Sequence, residues 1–183
     1  MASDAKDVKI GILMPLTGRY AESGLSTVRG IDMVINQVNA AGGIKSLQGA
    51  KIKLIKADDG SEPTKTSIEG RRLVNTENVS FIIGPYSTPE AQAFMPVADR
   101  YQVGGVGLQT TIVPTTPYFS TISITAEGFG DAYANAVKWL NSLGANIHSV
   151  AITYANNDYG QVVSKTAVTA LTQAGLKGFD PIP

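Results

Sequence analysis

The chain has 183 residues, 43% of them hydrophobic and 16% charged, with 15 Lys and Arg set against 15 Asp and Glu. It is too apolar for a disordered segment and long enough for one well-cored domain, or for one domain with part of another. Zero net charge offers no footprint for nucleic acid, the lack of cysteine excludes disulfides and thiolate chemistry, and no apolar run reaches the roughly 18 residues of a membrane span.

Met1-Ala2-Ser3-Asp4-Ala5-Lys6-Asp7 is polar and lacks the apolar core of a signal peptide, as a start placed after a removed signal would be. Val8-Lys9-Ile10-Gly11-Ile12-Leu13-Met14 predicts a strand buried on both faces, ending at Pro15. A polar loop follows from Leu16 to Gly24. Val28, Ile31, Ile35 and Val38 then recur at helical spacing, up to a glycine stop at Ala41-Gly42-Gly43. Lys51 to Ala57 alternates strictly, which predicts a half-exposed strand near a sheet edge. Asp58-Asp59-Gly60-Ser61 reads as a solvated turn, and Pro63 opens a helix carrying Ile68, Leu73 and Val74.

The stretch Ser80-Phe81-Ile82-Ile83-Gly84-Pro85-Tyr86-Ser87-Thr88-Pro89-Glu90 organises the chain. Its apolar run predicts a buried third strand stopped by Gly84-Pro85. Ser87 or Thr88 then caps a helix, with Pro89 in the first turn and Glu90 placed for a capping box. Free N–H groups and the positive end of that helix make a seat for an anion. Val103-Gly104-Gly105-Val106-Gly107-Leu108 predicts a fourth, glycine-weakened strand, followed by Gln109-Thr110-Thr111. Tyr118 to Ser123 suits a short strand. Phe129, Tyr133, Ala136, Val137, Leu140 and Leu143 mark an amphipathic helix, with Trp139 and its aromatic stripe read as core. Ser149-Val150-Ala151-Ile152-Thr153-Tyr154 reads as a buried strand, and Tyr159 to Ala174 as a helix closed by Gly175.

Repeated alternation of strand and helix predicts a three-layer αβα fold around a parallel sheet, with the flavodoxin-like strand order 2-1-3-4-5. Ligands in such sheets sit beyond the carboxyl ends of strands where the order reverses, here between strands one and three. The loop Pro15–Gly24 and the turn Pro85–Thr88 meet there. Catalytic motifs fail. Thr64 stands where a phosphate loop needs glycine before Lys65-Thr66, and Gly104-Gly105-Val106-Gly107 lacks dinucleotide spacing. His148, the single histidine, is distant in sequence from Ser87. Asn78-Val79-Ser80 matches a glycosylation sequon of high chance frequency. Hydroxyls, an amide and tyrosines at strand ends suit binding without chemistry, with no metal and no cofactor.

Lys9-Ile10-Gly11-Ile12-Leu13-Met14-Pro15-Leu16-Thr17-Gly18 resembles the opening of the branched-chain amino-acid type of periplasmic binding proteins. Val38-Asn39-Ala40-Ala41-Gly42-Gly43-Ile44, Lys53 to Asp59, Ile83-Gly84-Pro85 and Ala155-Asn156-Asn157-Asp158-Tyr159-Gly160-Gln161 continue the pattern in order. The resemblance implies a two-lobed solute receptor for an ATP-driven importer, partnered by a membrane permease and located in the periplasm. By position it implies that Ser87, Thr88 and Thr110 meet a ligand carboxylate. Tyr86 and Gln109 line the pocket, Ser23 touches ligand from the first loop, and Tyr159 closes from the second lobe. Tyr86 and Gln109 are larger than is usual in the family, which disfavours a plain Leu, Ile or Val ligand and leaves room for aromatic or other carboxylates. Residues 1–122 then form a first lobe that is incomplete relative to the family, and 123–183 the start of the second. The chain, at about half the family's length, reads as a fragment that alone binds ligand weakly or not at all and has an edge open to homodimerisation. In an alternative organisation, 149–154 docks as a fifth strand and 1–183 closes as one domain. Two competing functions are a cytoplasmic amide- or amino-acid-sensing regulator of the same fold and a small enzyme using Ser87 as nucleophile.

Overall fold

A computed structural model describes residues 7–109, 115–178 and 182. They fall into two compact units divided after Ile122, the first holding the sheet that carries the Gly84-Pro85 turn. In the first unit, β1 (Val8–Met14), β2 (Ile52–Asp58), β3 (Phe81–Ile83), β4 (Gly104–Gly107) and β5 (Phe119–Thr121) form one sheet in the order β2-β1-β3-β4-β5. All four pairings are parallel, with Ile10 opposite both Leu54 and Phe81. Helices α1 (Ala21–Ala40), α2 (Pro63–Asn75) and α3 (Thr88–Tyr101) cover the sheet.

Strand alternation sorts the core into two layers. Ile12 and Met14 pack with Val28 of α1, joined by Ile10, Leu54, Ile83, Tyr86 and Leu108. The opposite face meets α2 and α3. A Cβ on Gly11 would lie 3.1 Å from Leu73, and one on Gly70 2.9 Å from Phe94. The glycines of β4 have a use there. A Cβ on Gly105 would stand 3.1 Å from the Phe94 ring, and one on Gly107 2.6 Å from that of Phe119. The two rings meet edge to face at 5.7 Å over this strand, so they supply the apolar surface that its own residues lack.

β2 takes the sheet edge that its alternation predicts. The fifth position belongs to Phe119–Thr121, with Gly105 N–H donating to Tyr118 O at 2.8 Å and Ile122 N–H to Gly107 O at 3.2 Å. Residues 149–154 therefore do not occupy it. In the second unit, β6 (Ser149–Val150) pairs with β7 (Lys177–Gly178), and Tyr154 N–H continues the ladder to Ile182 O at 3.1 Å. Residues 149–154 alternate between exposed and half-buried instead of being buried on both faces, as suits a strand with one neighbour.

Helices α4 (Ala126–Ser142) and α5 (Asp158–Gln173) pack against each other in this unit. Thr125 Oγ1 caps α4 at Gly128 N and Asn157 Oδ1 caps α5 at Gly160 N. The α4 contact runs along Ala126, Gly130 and Ala134, spaced by four, all buried. A Cβ on Gly130 would fall 2.7 Å from Thr166 O, so the backbones meet almost directly. Small residues thus own the interface and the bulky ones face elsewhere. Trp139, expected in the core, is 62% exposed, and Tyr133 and Leu143 are also exposed. A groove of about 500 Å³ opens between Tyr133 and Val137 of α4, Ile152, and Val163 and Ala167 of α5.

The turn after β3 is the tightest point of the first unit. Gly84 has φ +113, and a Cβ there would lie 1.8 Å from Leu13 O. Gly84→Ala must therefore both strain the backbone and push β1 from β3. It is expected to destabilise the chain by about 3 kcal/mol or more. Denaturant unfolding checks this, and a loss within about 0.5 kcal/mol would contradict it.

Candidate ligand-binding site

Three strands of the first unit end at one edge, and the turns that follow them carry the candidate residues. Gly84 N–H donates to Val106 O at 2.8 Å and Leu108 N–H to Pro85 O at 3.1 Å, which holds the segment before Gln109 beside the segment before Ser87. Ser87 is the N-cap residue of α3, with extended backbone at φ −110 and ψ 166. Its hydroxyl makes no capping bond to the helix, so the expected capping box with Glu90 does not form. The Glu90 carboxylate instead takes a hydrogen bond from its own N–H.

The first loop approaches from the neighbouring strand. The Asp58 carboxylate accepts from Leu16 N at 2.8 Å, Thr17 N at 3.0 Å, Thr17 Oγ1 at 2.6 Å and Gly60 N at 2.9 Å. Lys65 Nζ lies 2.8 Å from the same group. Gly18 and Gly60 meet backbone to backbone, since a Cβ on Gly18 would sit 2.2 Å from Gly60 O. Tyr20 N–H then donates to Ser61 Oγ at 3.1 Å, and the Tyr20 ring rests 5.5 Å from that of Tyr86. Arg19 lies over Tyr20, with its guanidinium 4.5 Å from the ring centre and donating to the phenol oxygen. Ser23 belongs to the first turn of α1 rather than to a loop; it is half-buried, and its carbonyl accepts from Thr27 Oγ1 at 2.9 Å. Gly24 presses that turn onto Pro15, where a Cβ would fall 2.0 Å from the carbonyl oxygen.

Burial at this edge is accompanied by unmet polar demand. Among the described residues, the buried side-chain atoms without a hydrogen-bond partner are Asp59 Oδ2, Ser87 Oγ, Glu90 Oε2, and both Nε2 and Oε1 of Gln109. All of them follow β2, β3 or β4 at the carboxyl end of the sheet. Gln109 is 3% exposed and Glu90 4%, while Thr88 is buried as well. Asp59, read in sequence as part of a solvated turn, is fully buried. Buried amides and hydroxyls are ordinarily paired, because an unpaired one costs about 1–3 kcal/mol.

Of the other expected residues, Thr110 lies outside the described residues. Tyr159 belongs to the second unit, in the first turn of α5, 41% exposed. His148 is exposed in that same unit, beside β6. Ser87 Oγ has no hydrogen-bond partner. Among the described residues no group of three or more His, Cys, Asp or Glu could hold a metal, and no helix is long and apolar enough to cross a membrane. Sequence reasoning set Asp58 and Asp59 aside as a solvated turn and gave Arg19 and Tyr20 no role of their own. The one available signal was the position of Asp58-Asp59 directly after a strand, at the same sheet end as Ser87.

Burial pushes the Asp59 carboxyl up from 3.8 to about 6; Ser61 N–H opposes this, the charges of Glu90 and Asp58 add to it, and Lys65 opposes it. Burial also raises Glu90, against its own N–H and Arg19. For Asp58 burial is outweighed by hydrogen bonds from Lys65, Thr17 and Gly60, which hold it well below 3.8. Folded Asp59 keeps its proton to higher pH than unfolded Asp59, so its stabilising effect is full below about 3.8 and fades as pH rises through about 6. Asp58 has the opposite sign and loses its contribution only as pH falls below about 3.8. The thermal midpoint is therefore expected to drop between about pH 4.5 and pH 7. Asp59→Asn, which keeps the acceptor for Ser61 N–H, should flatten that slope and add about 1–3 kcal/mol at neutral pH. An unchanged slope in the variant would contradict the assignment.

Comparison with known proteins agrees with the architecture. The family model described as periplasmic binding protein matches residues 7–183. The chain is 29% identical over 190 residues to Leu/Ile/Val-binding protein homolog 7 of Brucella abortus, covering 96% of this chain and 45% of that protein. It superposes with a TM-score of 0.80 on the branched-chain amino acid transporter substrate binding protein LivJ of Streptococcus pneumoniae in complex with isoleucine, at 24% identity, covering 97% of this chain and 48% of that one. A solute binding protein of an ABC transporter from Rhodopseudomonas palustris, in complex with 3,4-dihydroxy benzoic acid, also gives 0.80 at 24% identity, over 96% of this chain and 47% of that one. The chain thus spans about half the length of the relatives it matches. By name these relatives are binding proteins. With the family model matched from Asp7 to the last residue, the chain belongs to the periplasmic binding protein family.

Proposed function

We propose that this chain carries one wall of the ligand site of a solute receptor serving an ABC importer, and that it binds a small carboxylate without chemistry. The observation that carries the proposal is the set of unpaired buried groups around the N-terminus of α3, Ser87 Oγ and the Gln109 amide foremost. A carboxylate placed there takes hydrogen bonds from Ser87 and from first-turn N–H groups, and the positive helix end favours its charge. Tyr86 and Tyr20 give the ligand's apolar part a flat flank. Ser23 and Thr88 belong to this proposed site by their positions at the same sheet end, and Thr110 by its place in the sequence directly after Gln109. The family points to a periplasmic or extracellular receptor that hands its ligand to a membrane permease. Isoleucine and dihydroxybenzoate in similar proteins support an amino acid or an aromatic carboxylate as the ligand class.

Ser87→Ala separates a binding role from a structural one. Because Ser87 Oγ is buried with no partner within the chain, its removal should cost no stability and raise it by up to about 1–3 kcal/mol. Affinity for a carboxylate should fall roughly tenfold to a hundredfold, the value of a hydrogen bond to a charged group. Titration calorimetry against amino acids and benzoates, read beside thermal unfolding, measures both. A variant that loses stability and keeps its affinity would overturn the proposal.

A further inference from the structure

The Gln109 side chain is held in an unusual state. It is 97% buried, yet neither Nε2 nor Oε1 has a hydrogen-bond partner. Its backbone is fixed, with its carbonyl accepting from Thr121 Oγ1 at 2.5 Å and the preceding Leu108 N–H donating to Pro85 O. The amide folds back over Gly107, where Oε1 would lie 2.0 Å from a Cβ. That places it on the face of the sheet where Phe119 packs against Phe94 of α3, at the end where α3 begins. Gly107 has no side chain to contest the space, so the amide is seated by shape although no hydrogen bond fixes it.

We infer that Gln109 is a specificity-determining residue that reads a second polar group on the ligand, one able both to donate and to accept, such as a hydroxyl or an amide. The inference rests on the carboxylate site proposed above and deepens it. A hydrocarbon group laid against Gln109 leaves its donor and its acceptor unpaired as they are in the free chain, whereas a ligand group that pairs with them removes a cost already present there. A hydroxyl satisfies both, accepting from Nε2 and donating to Oε1. A site built to hydrogen-bond a hydroxyl discriminates strongly against the analogue that lacks it, whereas an apolar pocket separates such isosteres poorly. Neither the carboxylate nor the helix end supplies this preference, since both members of an isosteric pair present the same carboxylate.

The test compares two isosteric pairs, 4-hydroxybenzoate against benzoate and threonine against valine, on the full chain and on Gln109→Leu and Gln109→Glu. Affinities come from calorimetric or NMR titration, with thermal unfolding recorded for each protein. The hydroxyl member of whichever pair binds should be favoured about tenfold or more in the natural chain. Gln109→Leu should abolish or reverse that ratio while both members still bind, and Gln109→Glu, which retains an acceptor, should restore part of it. If both members bind alike and Gln109→Leu leaves their ratio unchanged, Gln109 is only a packing residue and the inference falls while the carboxylate site stands. If no carboxylate binds in either pair, both fall together. A change in stability alone, with the ratio untouched, also counts against the inference.

Discussion

The Asp58 carboxylate sets the geometry on which the candidate site depends. It takes hydrogen bonds from the loop after β1, from the turn after β2 and from Lys65 of α2, and so locks three segments to the end of an edge strand. Once Thr17 is fixed, Gly18 is forced onto Gly60, Tyr20 is tied to Ser61, and its ring is delivered to Tyr86. Each link depends on the one before. Without the carboxylate, the loop N–H groups at Leu16 and Thr17 would have to find water, and the wall that Tyr20 builds would lose its anchor.

The charge that does this work is stabilised where its neighbour is not. Asp58 and Asp59 are adjacent in sequence and opposite in character, one saturated with donors and partly exposed, the other fully buried with an oxygen left over. A pair of adjacent carboxyl groups pushed apart in acidity is a frequent mark of a functional edge. Among the described residues they belong to no group of three or more His, Cys, Asp or Glu that could hold a metal. The strain they record belongs to a cluster, with Glu90 in the first turn of α3, that is packed more tightly than its polar groups can satisfy.

Much of the sheet was legible because periodicity reports burial directly. The strict alternation of Lys51 to Ala57 placed β2 at an edge, and the apolar runs at Val8–Met14 and Phe81–Ile83 marked interior strands. The strand order followed from the alternation of elements and from the rules of parallel connections. Side-chain demand was less legible. Ser87 and Glu90 have capping-box spacing, yet the hydroxyl is left unpaired, because sequence spacing cannot reveal that Glu90 turns to its own N–H. Trp139 has the periodicity of a core residue, but the α4 interface is taken by Ala126, Gly130 and Ala134, whose small size permits an approach that excludes bulk. Asp58-Asp59 resembled a solvated turn because two adjacent carboxyl groups do not reveal in sequence which of them folding buries. The glycines of β4 looked like weakness and proved to be space for Phe94, Phe119 and the Gln109 amide.

The account stands on one claim, that the carboxyl edge of the first sheet, at the start of α3, is where a small carboxylate binds. Amide chemical shifts of the isotopically labelled chain during titration with 4-hydroxybenzoate and with leucine measure this most directly. The account predicts that shifts concentrate on Tyr86, Ser87, Thr88 and Gln109, including the Gln109 side-chain NH2, with Tyr20 close behind. Shifts centred instead on the groove of the second unit, around Tyr133, Val137, Val163 and Ala167, would contradict it.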